Sequence, residues 1–169
     1  MANAARLYWE SKMLKRYIFH GFIFAELQSF RKSDLDIPVM VLQANVPIWD
    51  STAYDRGFQI PADVLRRSIP KGCVPLFLFH DHKERLGELC DFEYNSFKKA
   101  LFAKLKILPE KRQRVLRLIK SAGINGISLE LETLEERGRY LNKVLRMKIT
   151  GAALVDRPAC KKCRVRLSK

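Results

Sequence analysis

Three kinds of side chain here combine into a set able to open an acyl bond: the histidines His80 and His82, the serine Ser128, and the aspartates Asp50 and Asp55. A serine hydroxyl becomes a nucleophile when an imidazole accepts its proton and a third polar group holds that imidazole. The three need only meet in space, so a sequence supplies candidates rather than contacts. His80 and His82 stand just past the apolar run Val74-Pro75-Leu76-Phe77-Leu78-Phe79, where a buried strand would empty into a loop. Ser128 stands near the start of another strand-like run, after Gly126-Ile127, and both aspartates lie in the polar segment of residues 49–57. Taken singly, a serine at such an entrance is an ordinary turn hydroxyl and a loop histidine is a solvated side chain.

Two other chemistries deserve comparison. His80-x-His82 puts two imidazoles on one face of an extended segment, as metal ligands can be. No Asp, Glu or Cys nearby completes a recognisable metal pattern. The four cysteines, at 73, 90, 160 and 163, are few for this length and read as reduced thiols. Cys160-x-x-Cys163 would need Cys73 and Cys90 as partners, and their separation of 17 matches no usual zinc knuckle. Neither a metal nor another cofactor is expected.

The elements that must position these groups follow from period and punctuation. A helix over residues 2–15 and a β-rich run over 17–26 open the chain, and residues 39–46 form a second strand. Pro61 starts a short helix over 62–68. Residues 86–94 and 101–107 pair as antiparallel strands, with Leu101, Ala103, Leu105 and Ile107 on one face. The clearest helix spans 109–122, with Pro109 in its first turn, Val115, Leu118, Ile119 and Ala122 as its apolar stripe, and Gly123 as its stop. Its other face carries Lys111, Arg112, Arg114, Arg117 and Lys120. Residues 127–131 and 140–149 alternate as strands around the turn 135–138, and residues 151–159 form a last strand.

Composition sets the boundaries of this reading. The 169 residues are 47% hydrophobic and 30% charged, with eight glycines and seven prolines, as in an ordinary globular protein. No apolar run approaches the roughly 20 residues of a membrane helix, and residues 1–16 lack the order of a signal peptide, so a cytosolic protein without a membrane partner is expected. A formal charge of +14 suits an anionic partner without naming one. Trp9, Tyr17, Phe19 and Phe22 could stack on bases, yet no nucleic-acid recognition motif accompanies them, so nucleic acid ranks as a secondary partner.

Four strings in order along the chain carry a resemblance. Val74-Pro75-Leu76-Phe77-Leu78-Phe79-His80-Asp81 with Leu86-Gly87 a step later, Leu101-Phe102-Ala103-Lys104-Leu105, a helix ending in Gly123 followed by Gly126-Ile127-Ser128-Leu129, and Leu154-Val155-Asp156-Arg157-Pro158-Ala159 resemble the prohead (capsid maturation) serine proteases of tailed phages. The resemblance covers residues 39–160. It implies an α+β fold similar to herpesvirus assemblin proteases, a small mostly antiparallel β-barrel flanked by helices. Residues 1–37 would be an N-terminal extension, 38–160 the protease domain, and 161–169 a basic tail.

Carried over residue by residue, the resemblance makes Ser128 the nucleophile and His80 the general base. Many members take their third residue, a Glu or a His, from a position just before the closing strand, where this chain has Gly151. The branch with an Asp in an N-terminal loop is nearer, and Tyr54-Asp55-Arg56-Gly57 is similar to that loop, which makes Asp55 the orienting carboxylate, with Asp50 second and a Ser–His dyad as the remaining alternative. The oxyanion would be held near Asp156 and Arg157. The implied substrates are a major capsid protein, a scaffold protein and the chain itself, inside a prohead in the host cytoplasm. The chain ends ten residues after Ala159, so the expectation is either a scaffold that is a separate protein or a chain that is a processed or truncated protease domain. A homodimer or larger assembly is compatible with this, and the alternative is a basic nucleic-acid- or scaffold-binding structural protein without catalysis.

Overall fold

The computed structural model describes residues 14–19, 36–48 and 57–156. In chain order these form β1 (Leu14–Phe19), β2 (Asp36–Gln43), β3 (Phe58–Gln59), α1 (Ala62–Arg67), β4 (Val74–Leu78), β5 (Asp81–Asn95) and β6 (Ala100–Ile107). A 3-10 turn, Pro109–Lys111, then runs into α2 (Arg112–Ser121), followed by β7 (Gly126–Glu136) and β8 (Asn142–Val155).

One sheet holds every described strand in the order β1-β7-β8-β4-β5-β6-β2, with β3 alongside β8. All pairings are antiparallel except β3 and β4 with β8. The sheet curls so that β2 comes back toward β7. Hydrogen bonding among the described strands leaves β1 and β2 at the two ends, so the expected small, mostly antiparallel β-barrel takes the form of a curled half-barrel. The last strand differs from expectation: residues 142–149 and 151–155 are one continuous strand. β8 takes up Thr150 as an extra residue where the register steps from Glu130↔Gly151 to Leu131↔Ile149.

Period two sorts the side chains. On β6, Leu101, Ala103, Leu105 and Ile107 enter the core as their alternation dictates, and on β7 Ile127, Leu129 and Leu131 do the same. Helix α2 closes the core with Val115 and Ile119, while Arg114, Arg117 and Lys120 remain exposed and Arg114 reaches Glu84 at 2.7 Å. Ala122, expected in the apolar stripe, is exposed just beyond the last turn.

The cysteine reading needs correction. Cys73 and Cys90 are disulfide-bonded, with their Cα atoms 4.2 Å apart. The pairing of Val74 with Leu89 extends by one step to bring these two residues face to face. A spacing of 17 in sequence conceals this, because it is the hairpin register and not a motif that joins them. Cys160 and Cys163 lie outside the described residues, as do residues 2–13 of the expected first helix.

Gly87 shows why a glycine follows Leu86. A Cβ there would stand 2.1 Å from the backbone oxygen of Lys106 and 3.0 Å from Ile107 Cα, where β5 and β6 cross at close range. Gly87→Ala must therefore displace β6 backbone, and the expected cost is about 1–3 kcal/mol. Urea unfolding should show it as a lower midpoint with an unchanged slope.

Candidate functional site

Strand alternation puts Ser128 and Glu130 together on the face of β7 opposite Ile127 and Leu129. Their register partners on β8, Ala153 and Gly151, share that face. On the far side of β8, Phe77 of β4 lies opposite Ala153. The site thus spreads over three adjacent strands and turns away from the core.

The imidazole arrives from the β4–β5 turn. Leu78 pairs with Asp81, leaving Phe79 and His80 as a two-residue loop with φ of 50° and 61°. Two consecutive positive φ values are the signature of the type I′ hairpin turn, normally built from Asn and Gly. Holding a Phe and a His there costs about 1–2 kcal/mol per residue. The Phe79 N–H donates to Leu154 O at 3.1 Å, which fastens the turn to β8.

From this turn His80 reaches over β8 to β7. Its Nε2 lies 2.6 Å from Ser128 Oγ and its Nδ1 3.0 Å from Glu130 Oε1. A carboxylate only accepts, so Nδ1 carries the hydrogen and donates it to Glu130. Nε2 is then left with its lone pair facing the serine hydroxyl, which donates to it. Ser128 is fully buried, and the side chains of His80 and Glu130 are only 11% and 15% exposed, so these hydrogen bonds sit largely out of water. The Thr150 hydroxyl donates to the Glu130 carbonyl at 3.2 Å, which fixes the backbone beneath the carboxylate.

The structure brings His80 and Ser128 together as expected. Asp55 and Asp50 lie outside the described residues, and so does Arg157. Glu130 is the member that sequence reasoning passed over. Its signal was present: two residues beyond Ser128 on a strand, it had to share the serine's face. Gly151 faces it across the β7–β8 pairing, and a Cβ at Gly151 would stand 2.7 Å from Glu130 Oε2. His82, considered as a metal ligand, also contacts Glu130 Oε1, at 3.0 Å. Cys73, Glu88 and Cys90 have ligand atoms close enough for a metal ion, but the two sulfurs are bonded to each other.

The fold is one found in a capsid assembly protease. One solved structure that it matches is that of the bacteriophage T4 capsid assembly protease, gp21, with a TM-score of 0.56 and 14% identity, covering 85% of this chain and 98% of that one. No protein-family model and no curated protein matches the sequence. Among the described residues no helix is long and apolar enough to cross a membrane.

The space at Gly151 can be tested directly. Gly151→Ala should leave the melting temperature nearly unchanged, because the clash is with the end of a flexible side chain. It should push Glu130 off His80. Proton NMR should then show the hydrogen-bonded Nδ1–H of His80 moving from low field toward the position of a solvated imidazole.

Proposed function

We propose that this chain is a serine endopeptidase of phage prohead maturation, which cuts scaffold and capsid proteins and itself. The observation that carries the reading is the 2.6 Å approach of His80 Nε2 to Ser128 Oγ, within a fold shared with a capsid assembly protease. Ser128 is the nucleophile, His80 the general base, and Glu130 the carboxylate that orients the imidazole, in the role that the resemblance assigned to Asp55.

The steps follow from the tautomer. Ser128 Oγ attacks the scissile carbonyl carbon as its proton passes to His80 Nε2. The imidazolium keeps its Nδ1–H on Glu130, whose charge stabilises it. The carbon–nitrogen bond breaks, the leaving amine takes the proton from Nε2, and Ser128 is left as an acyl ester. Water then gives a proton to Nε2 and its oxygen to the carbonyl, and Ser128 recovers its proton as the ester bond breaks. Backbone N–H groups after β8, near Asp156 and Arg157, would hold the oxyanion. Ser128 has no exposed surface, so substrate binding has to uncover Oγ.

The test is intact mass spectrometry over time, alone and with candidate capsid and scaffold proteins. Discrete fragments are expected from the wild type and none from Ser128→Ala or His80→Ala. Fragments that persist in folded Ser128→Ala would overturn the reading.

Glu130→Gln should keep the fold and lower kcat on the order of 10⁴-fold, the loss seen when the third member of such a triad can no longer hold the tautomer. The exchange Glu130→Ala with Gly151→Glu moves the carboxylate to the facing strand. It should recover about tenfold over Glu130→Ala alone, a coupling in the range for contacting residues. Initial rates on a peptide taken from a mapped cleavage site measure both.

A further inference from the structure

We infer that His82 is a positioning residue, which pins the Glu130 carboxylate so that Oε1 stays on His80. The inference rests on the reading of Ser128, His80 and Glu130 as one catalytic unit. Glu130 Oε1 has two imidazole partners at the same distance, His80 Nδ1 at 3.0 Å and His82 Nε2 at 3.0 Å. A glutamate side chain left to itself loses up to about 2 kcal/mol of rotamer freedom on being fixed. The carboxylate has one side cleared for it by Gly151, which permits its approach to His80 without enforcing it. His82 supplies the enforcing contact by donating Nε2–H to the same oxygen.

His82 is itself held in a way that a solvated surface histidine is not. Its side chain is 66% exposed, yet its ring stacks on Phe77, with centroids 4.4 Å apart and planes 22° from parallel. Phe77 is 8% exposed and lies on β4 opposite Ala153 of β8, beside the site, which makes it a fixed platform. The backbone is arranged to the same end. Between the pairs Leu78↔Asp81 and Phe77↔Arg85, residues 82–84 of β5 have no register partner on β4. Such a bulge re-aims a side chain that regular alternation would direct elsewhere. Here it returns His82 over the hairpin that carries His80, so one hairpin supplies both imidazoles to one carboxylate.

Two substitutions separate the donor from the stack. His82→Phe keeps an aromatic ring for Phe77 and removes the N–H, whereas His82→Gln keeps an N–H and removes the ring. With a peptide substrate, His82→Phe should lower kcat about 10–100-fold, the equivalent of one hydrogen bond to a charged group, with little change in KM. His82→Gln should recover to within roughly threefold of wild type. The Nδ1–H proton of His80, followed by NMR in the Ser128→Ala background to prevent self-cleavage, should lose its low-field position in His82→Phe and keep it in His82→Gln.

A wild-type kcat and an unmoved proton in His82→Phe would overturn the inference and leave the triad standing. So would equal losses in both variants, which would assign the effect to packing. Cleavage that survives Ser128→Ala would remove the catalytic reading itself, while the NMR comparison would still report whether His82 holds Glu130.

Discussion

Strand β8 lies between the strand that carries the serine and the strand whose turn carries the histidine, and the site depends on how that intervening strand is crossed. Neighbouring strands are about 4.8 Å apart, so a side chain from the β4 edge must travel roughly 10 Å over the sheet surface to meet one on β7. A large residue on β8 at the crossing would block the path. This chain has Ala153 opposite Ser128 and Gly151 opposite Glu130, the two smallest side chains, at the two positions beneath the crossing. The imidazole can then lie flat over β8 and contact both neighbours on β7.

The same crossing explains the strained turn. A relaxed hairpin would end β4 with Gly or Asn at the positive-φ positions, and neither could bridge the gap. Placing His80 in the left-handed region starts its side chain at the tip of the hairpin, where Phe79 N–H is already tied to Leu154 of β8. The strain is tolerated because the rest of the hairpin is over-determined. Leu76, Leu86 and Leu89 are buried in the core, and the Cys73–Cys90 disulfide closes the base of the hairpin opposite the histidines. Rigidity at one end allows an unfavourable conformation at the other.

These relations divide what a sequence discloses from what it conceals. Ser128 and His80 were legible because each sits in a local string, an apolar strand ending in His-Asp and a Gly-Ile-Ser-Leu entrance. The antiparallel pairing of β5 with β6, helix α2 and the alternation of β7 were legible from period alone. Glu130 was harder, since its contact with His80 depends on the β7–β8 register and on a glycine 21 residues away in sequence. The disulfide was concealed for a similar reason: thiols opposite each other in a hairpin look, in one dimension, like thiols with no relation. Closure of the sheet was beyond reach too, because whether two end strands meet depends on accumulated twist and not on any residue pattern.

The facing of Glu130 and Gly151 also bears on how a catalytic carboxylate should be sought. What His80 needs is an oxygen at a place in space near Nδ1, and two strands border that place. A carboxylate on β8 would need a small partner on β7, and a carboxylate on β7 needs a small partner on β8. Either arrangement meets the same requirement, so a glycine where an acid was expected is a reason to inspect the residue paired with it before looking to a distant loop. In this chain that residue is two positions from Ser128, on the same strand and the same face, and buried enough for its charge to act on the imidazole in a medium poorer in water than the surface.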